Sequence, residues 1–126
     1  MFRIMAKAKI HRAAITFTDI DYEGSISIDR DFMDKAGLLV GEKVLVIDIN
    51  NGKRFETYVI EAPGGSKEIG INGGAARLVN KDDRCIILSF AMFSEEELKD
   101  YKLNVIVMNE RNQIIDEFTK RIQDSA

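Results

Sequence analysis

The 126-residue sequence has one cysteine, one histidine and no apolar run long enough to span a bilayer. A lone Cys85 excludes an internal disulfide framework and fits a reducing compartment. Its setting, RCIILSF, reads as a buried strand, so the thiol is expected to pack rather than to react. With so few soft ligands the usual zinc clusters are excluded and no metal is expected. A histidine-based triad would depend entirely on His11. The N-terminus, MFRIMAKAKIHR, scatters charges among its apolar residues and lacks a signal-peptide core. A cytoplasmic protein with no membrane role is expected. Positive charge is not in excess either. The net charge of -3 speaks against nucleic acid as a partner.

What is present is ordinary for a globular chain: 45% hydrophobic and 31% charged residues. One domain over residues 1–126 is expected, large enough for a real core. Strands should dominate. Residues 2–18 alternate, a second strand should run from Tyr22 to Ile28, and KVLVIDI (43–49) is strongly apolar. The pair in NNGK predicts a hairpin into KRFETYVIEA (53–62), and PGGS turns the chain again at 63–66. Asp29 is placed to start a short helix and Gly37 to end it. GGAARLV should be a short helical turn, and RCIILSFAMF (84–93) another buried strand. Ser94 and Glu97 have capping-box spacing before a further helix. NVIVMN and QIID flank a last hairpin, and a polar tail is expected over 117–126. Many short strands with regular turns predict a small β-barrel.

Four stretches bear on chemistry. GGSKEIGINGG has two glycines at phosphate-loop separation, but Ile71 stands where the lysine must be, so tight turns are the better reading. Lys7, Lys9 and His11 share a strand face by period two, which aims Lys9 and His11 at one carboxylate; a solvated strand face is the plainer explanation. In RFETYV, Arg54, Glu56 and Tyr58 fall on one face and Phe55, Thr57 and Val59 on the other. Arginine suits bidentate carboxylate binding, and a tyrosine hydroxyl can donate a proton at neutral pH. Finally, Gly24-Ser25 interrupts an alternating run, which by itself marks a bulge or turn.

Taken together, KIHR (9–12), YEGSISID (22–29), NNGKRFETY (50–58) and INGGAAR (71–77) resemble the pyruvoyl-dependent L-aspartate 1-decarboxylase family over residues 1–116. The set is specific although no single motif is. The resemblance implies a mainly β fold: a small six-stranded double-psi β-barrel with a few short helices. It also implies a homotetramer with active sites between subunits. The chain would cut itself after Gly24 into residues 1–24 and 25–126. Ser25 Oγ would attack the Gly24 carbonyl to give an ester. β-Elimination would leave dehydroalanine, and hydrolysis a covalent pyruvoyl group with loss of ammonia. Glycine offers an unhindered carbonyl and can hold backbone strain of about 1–3 kcal/mol.

Residue by residue, Thr57 matches the oxyanion donor of the cleavage step, an interaction worth about 3 kcal/mol when well placed. It would also line the substrate site, although alternation sets it opposite Arg54 and Tyr58. Lys9 and Arg54 match carboxylate-binding residues, with His11 in support. Tyr58 matches the acid that protonates the product carbanion. Asn72, Gly73, Gly74 and Ala75 match the loop lining the substrate pocket; the family commonly has alanine where this chain has Gly74. The implied reaction converts L-aspartate to β-alanine and carbon dioxide through an imine with the pyruvoyl group, feeding pantothenate and coenzyme A synthesis. Some family members need a helper protein for maturation, so such a partner is an open expectation. Two rivals remain at this stage. One is an N-terminal-nucleophile hydrolase, which would keep a free Ser25 amine. The other is a non-enzymatic β-barrel binding module, which would stay uncut.

Overall fold

Alternation of buried and outward side chains sets most of the strands. In the computed structural model, which describes residues 1–122, the first strand β1 spans Phe2–Ala14. It is followed by β2 (Phe17–Asp19), β3 (Ser25–Asp29), the helix α1 (Arg30–Ala36), β4 (Lys43–Asp48) and β5 (Arg54–Ala62). Then come β6 (Ile69–Asn72), a 3₁₀ turn over Gly73–Leu78, β7 (Arg84–Ser94), a second over Glu97–Asp100, β8 (Leu103–Met108) and β9 (Ile114–Lys120). The mainly β expectation holds.

All nine strands join one hydrogen-bonded order, β2-β6-β3-β5-β4-β7-β1-β8-β9. Six strands, β6 through β1, form the contiguous middle; β2 extends one edge and the β8–β9 pair the other. The core is aliphatic, with Ile10, Ile26, Ile28, Val46, Val59 and Ile71 fully enclosed. Each such side chain contributes about 1.5–3 kcal/mol through burial.

Three local devices fix the ends of the strands near the site. Asp29 caps α1 by accepting from the Asp31 N–H, and Gly37 ends the helix at φ 83°. The same Asp29 carboxylate accepts from Gly65 N and Lys67 N at 3.2 and 2.8 Å, so the PGGS turn docks on the end of β3. At the β4–β5 hairpin, Asp48 Oδ1 accepts from Asn50 N and Asn51 N, and Gly52 supplies φ 76°. At the far end, Asn112, itself at φ 54°, brackets Ala14 with two hydrogen bonds and donates to the Lys67 carbonyl.

Three boundaries differ from expectation. The strand expected from Tyr22 begins only at Ser25, leaving Tyr22, Glu23 and Gly24 exposed ahead of it. The capping box at Ser94 and Glu97 forms in both directions, yet the chain makes only one 3₁₀ turn. Too few apolar residues follow to seat a longer helix. Glu117–Lys120, the start of the expected polar tail, form the end of β9, paired with β8 from Lys120↔Leu103 onward. Residues 123–126 of the expected tail lie outside the described residues.

Candidate functional site

Ser25 opens β3 between two neighbours, β6 antiparallel and β5 parallel. In the β6 ladder it lies directly opposite Asn72. Its side chain is 1% exposed. Ser25 Oγ donates to the Glu23 carbonyl at 2.9 Å and accepts from Asn72 Nδ2 at 3.1 Å. A hydroxyl that bonds the carbonyl two residues back must fold over the intervening Gly24. The second amide hydrogen of Asn72 goes to Ser27 Oγ at 3.0 Å. Ser27 is a member of this cluster that the motifs do not name; its spacing of two from Ser25 on a strand is the available signal.

Glycine is needed here at position 73 more than at 24. Gly73 has φ 78°, and a Cβ there would fall 2.6 Å from Gly24 Cα. Gly24 is absent from the left-handed glycines, so the backbone strain expected there does not take that form. A Cβ on Gly74 would meet nothing within 4 Å. The alanine common at that position would therefore fit, and the glycine here adds only backbone freedom.

β5 carries the next three residues, and strict alternation holds. Arg54 and Tyr58 are exposed, Thr57 is half-buried and Val59 is enclosed. The β3–β5 ladder begins at Ile26↔Val59. Continued back by one residue, that register sets Tyr58 level with Ser25, while Gly24 lies outside β3. Arg54 makes no ion pair among the described residues.

Lys9 and His11 sit on β1, with β4 and β7 between it and β5 in the sheet order. Both are half-buried and line one cavity of about 260 Å³. Ser25, Arg54 and Tyr58 do not line it. Lys7 departs from the expected trio. A bulge between Ala6 and Ala8 shifts the register, and Lys7 Nζ binds Glu42 at 2.7 Å and the Gly37 carbonyl at 2.8 Å. His11 Nδ1 is buried without a partner. Burial first, then the charges of Lys9, Arg12 and Arg84, lower its pKa. It therefore favours the neutral ring.

One chain thus brings together Gly24, Ser25, Asn72 and Gly73, with Thr57 and Tyr58 on the neighbouring strand. Lys9 and His11 form a separate group. Cys85 is fully enclosed and its thiol is pushed up to about 12 by burial, as expected of a packing residue.

The chain is mainly β and holds a buried serine clasped beside a glycine. The sequence model of the aspartate decarboxylase family matches residues 1–115. An aspartate 1-decarboxylase of Caulobacter vibrioides is 52% identical over 114 residues, covering 90% of this chain and 97% of that protein. One of Halalkalibacterium halodurans is 49% identical, covering 92% and 91%. One of Fervidobacterium nodosum is 48% identical, covering 90% and 97%. The chain belongs to the aspartate decarboxylase family.

Proposed function

We propose that this protein decarboxylates L-aspartate to β-alanine after cutting its own chain between Gly24 and Ser25. The observation that carries the reading is the held hydroxyl. Ser25 Oγ lies folded over Gly24, fixed by Glu23 and Asn72 and screened from water. Screening matters, because water would otherwise compete for the same carbonyl. These residues fit the proposed pyruvoyl precursor: a buried serine whose Oγ is both nucleophile and leaving group. Thr57, half-buried on the neighbouring strand β5, steadies the carbonyl oxygen as negative charge develops on it.

When formed, the pyruvoyl group supplies the electron sink for loss of the carboxylate. The chain's own residues do the rest. Arg54 and Lys9, without an ion pair among the described residues, hold carboxylates of the substrate. The Tyr58 hydroxyl, in register with Ser25, delivers the proton to carbon. His11, disposed to stay neutral, adds no positive charge and supports Lys9. The loop from Asn72 to Ala75 lines the pocket through its backbone.

The site is completed between subunits of a homotetramer. Support comes from the gap between β1 and β5 and from an apolar surface on β1 and β7, where Ile4 is 72% and Met92 65% exposed as cross-strand partners. Phe90 and Phe2 extend it. Barrel closure and a cytoplasmic setting belong to the same reading. No helix among the described residues is long and apolar enough to cross a membrane.

The test is the intact mass of purified protein. Two chains, 1–24 and 25–126, are expected, the second lighter than a serine-ended chain by one ammonia. A serine-ended second chain would support the hydrolase reading, and one full-length chain without decarboxylase activity would sink self-processing.

A further inference from the structure

The cavity that holds Lys9 and His11 has a third polar member, Lys120, and a fourth wall, Phe118. Both come from β9, beyond the stretch of 1–115 that the family model matches. Register explains the convergence. Lys9 pairs with Val105 across the parallel β1–β8 ladder, and Val105 pairs with Phe118 across the antiparallel β8–β9 ladder. Lys9, Val105 and Phe118 therefore stand in one row on one face. Lys120, two residues on and opposite Leu103, falls on that same face.

The lining has one charge sign. Lys9 and Lys120 face a floor of Val105, Val107 and Leu103, with no acidic residue in the lining. Neither lysine makes an ion pair among the described residues. Asp116 stands opposite Val107, level with His11, but is not part of the lining. The buried Nδ1 of His11 is left without a partner at the same place. Two unneutralised cations over an apolar floor attract a small organic anion with a hydrocarbon body.

We propose that Lys120 is a specificity-determining residue which, with Lys9, holds a carboxylate of the substrate in this cavity. The proposal rests on the reading that Lys9 faces substrate. It adds a residue of the last strand to that task. Lys120 is exposed, so its contact is a modest one, and its effect falls on binding rather than on the chemical step.

The experiment uses full-length, processed enzyme. Lys120→Gln should raise KM for aspartate about two- to fivefold with kcat unchanged. Succinate, which carries two carboxylates and no amine, should lose inhibitory strength by the same factor. Lys120→Glu should lose more than tenfold in both, and Lys120→Arg should stay close to the parent. The processed fraction, read by mass, should be equal in all. Unchanged KM and succinate inhibition in both Lys120→Gln and Lys120→Glu would overturn the proposal, as would a fall in kcat at constant KM. A parent enzyme that carries no pyruvoyl and leaves aspartate intact would instead sink the proposed function. Direct calorimetric binding of succinate to the parent and to Lys120→Glu would then still decide whether Lys120 holds an anion.

Discussion

Ser25 is 1% exposed and commits its hydroxyl to two partners within its own chain, whereas Arg54 and Lys9 make no ion pair among the described residues. The contrast separates two tasks. Attack on a peptide carbonyl needs one geometry held for a long time, and a buried, doubly bonded hydroxyl supplies that. Capture of a charged substrate needs cations that are not already neutralised. Lys7 shows the alternative: two residues before Lys9 on β1, it is tied to Glu42 and withdrawn from any such role. On the proposed reading, maturation is built into one chain, while capture is left to groups that wait for a ligand and for a neighbouring subunit.

The largest effect should come from the buried region. Ser25→Ala lacks both nucleophile and leaving group. It should stay a single full-length chain with no β-alanine formed, and its fold should survive the loss of one hydroxyl. Fragments split after Gly24 in this variant would merge the two regions and end the self-cleavage argument. Tyr58→Phe tests the boundary between them, since Tyr58 is level with Ser25 but 39% exposed. It should mature normally, as judged by mass, yet turn over about 10²–10⁴-fold more slowly. Failure to mature would move Tyr58 into the cleavage step. Full turnover would leave it as wall.

Arg54→Ala tests the other side. Cleavage should proceed, while kcat/KM for aspartate falls by the equivalent of about 2–5 kcal/mol as a carboxylate loses its bidentate partner. An unchanged kcat/KM in a processed preparation would remove Arg54 from the site.

How far the sequence discloses this comparison depends on whether the interaction is local. Asp29, Gly37 and Gly52 act on their own turns, and each does in the structure what its position predicts. The PGGS turn forms for the same reason, with Ser66 N bonded to the Pro63 carbonyl at 3.0 Å. The start of β3 misleads because Tyr22 shares parity with Ile26 and Ile28, although that segment is a loop whose Gly24 packs against Gly73, 49 positions away, with no room for a Cβ on Gly73. β9 is hidden because it is an edge strand. Its backbone pairs with β8, but Glu117, Phe118, Thr119 and Lys120 are all exposed, so no buried alternation marks it. In the site, motifs name Ser25 and Asn72, but only the ladder shows them to be direct partners. Lys7 reads as Lys9's equal until the bulge at Ala6 and Ala8 turns it to Glu42.

The smallest effect concerns the hairpin that presents Arg54. Asp48 is fully enclosed there: Oδ1 takes two backbone N–H groups, and Oδ2 is buried with no partner. Burial, and then the neighbouring carboxyl of Asp83, push Asp48 up to about 6. A carboxyl raised in the folded state contributes stability that is complete below its unfolded value and lost as pH rises through about 6. Asp48→Asn keeps the Oδ1 acceptor, carries no charge at any pH and puts a donor where Oδ2 lies unpaired. At pH 8 it should therefore be more stable than the parent by about 1–2 kcal/mol, allowing for solvent around an exposed turn. At pH 4 the parent carboxyl is largely protonated, and the difference should shrink toward zero. Unfolding midpoints of both proteins at pH 4, 6 and 8, at one protein concentration, make the comparison. Processing and turnover should be unaffected, because Asp48 touches neither the Ser25 clasp nor the free cations. A constant difference across the three pH values would mean that Asp48 does not titrate in this range. A loss of turnover at full maturation would mean that the hairpin sets the position of Arg54 more tightly than its exposure implies.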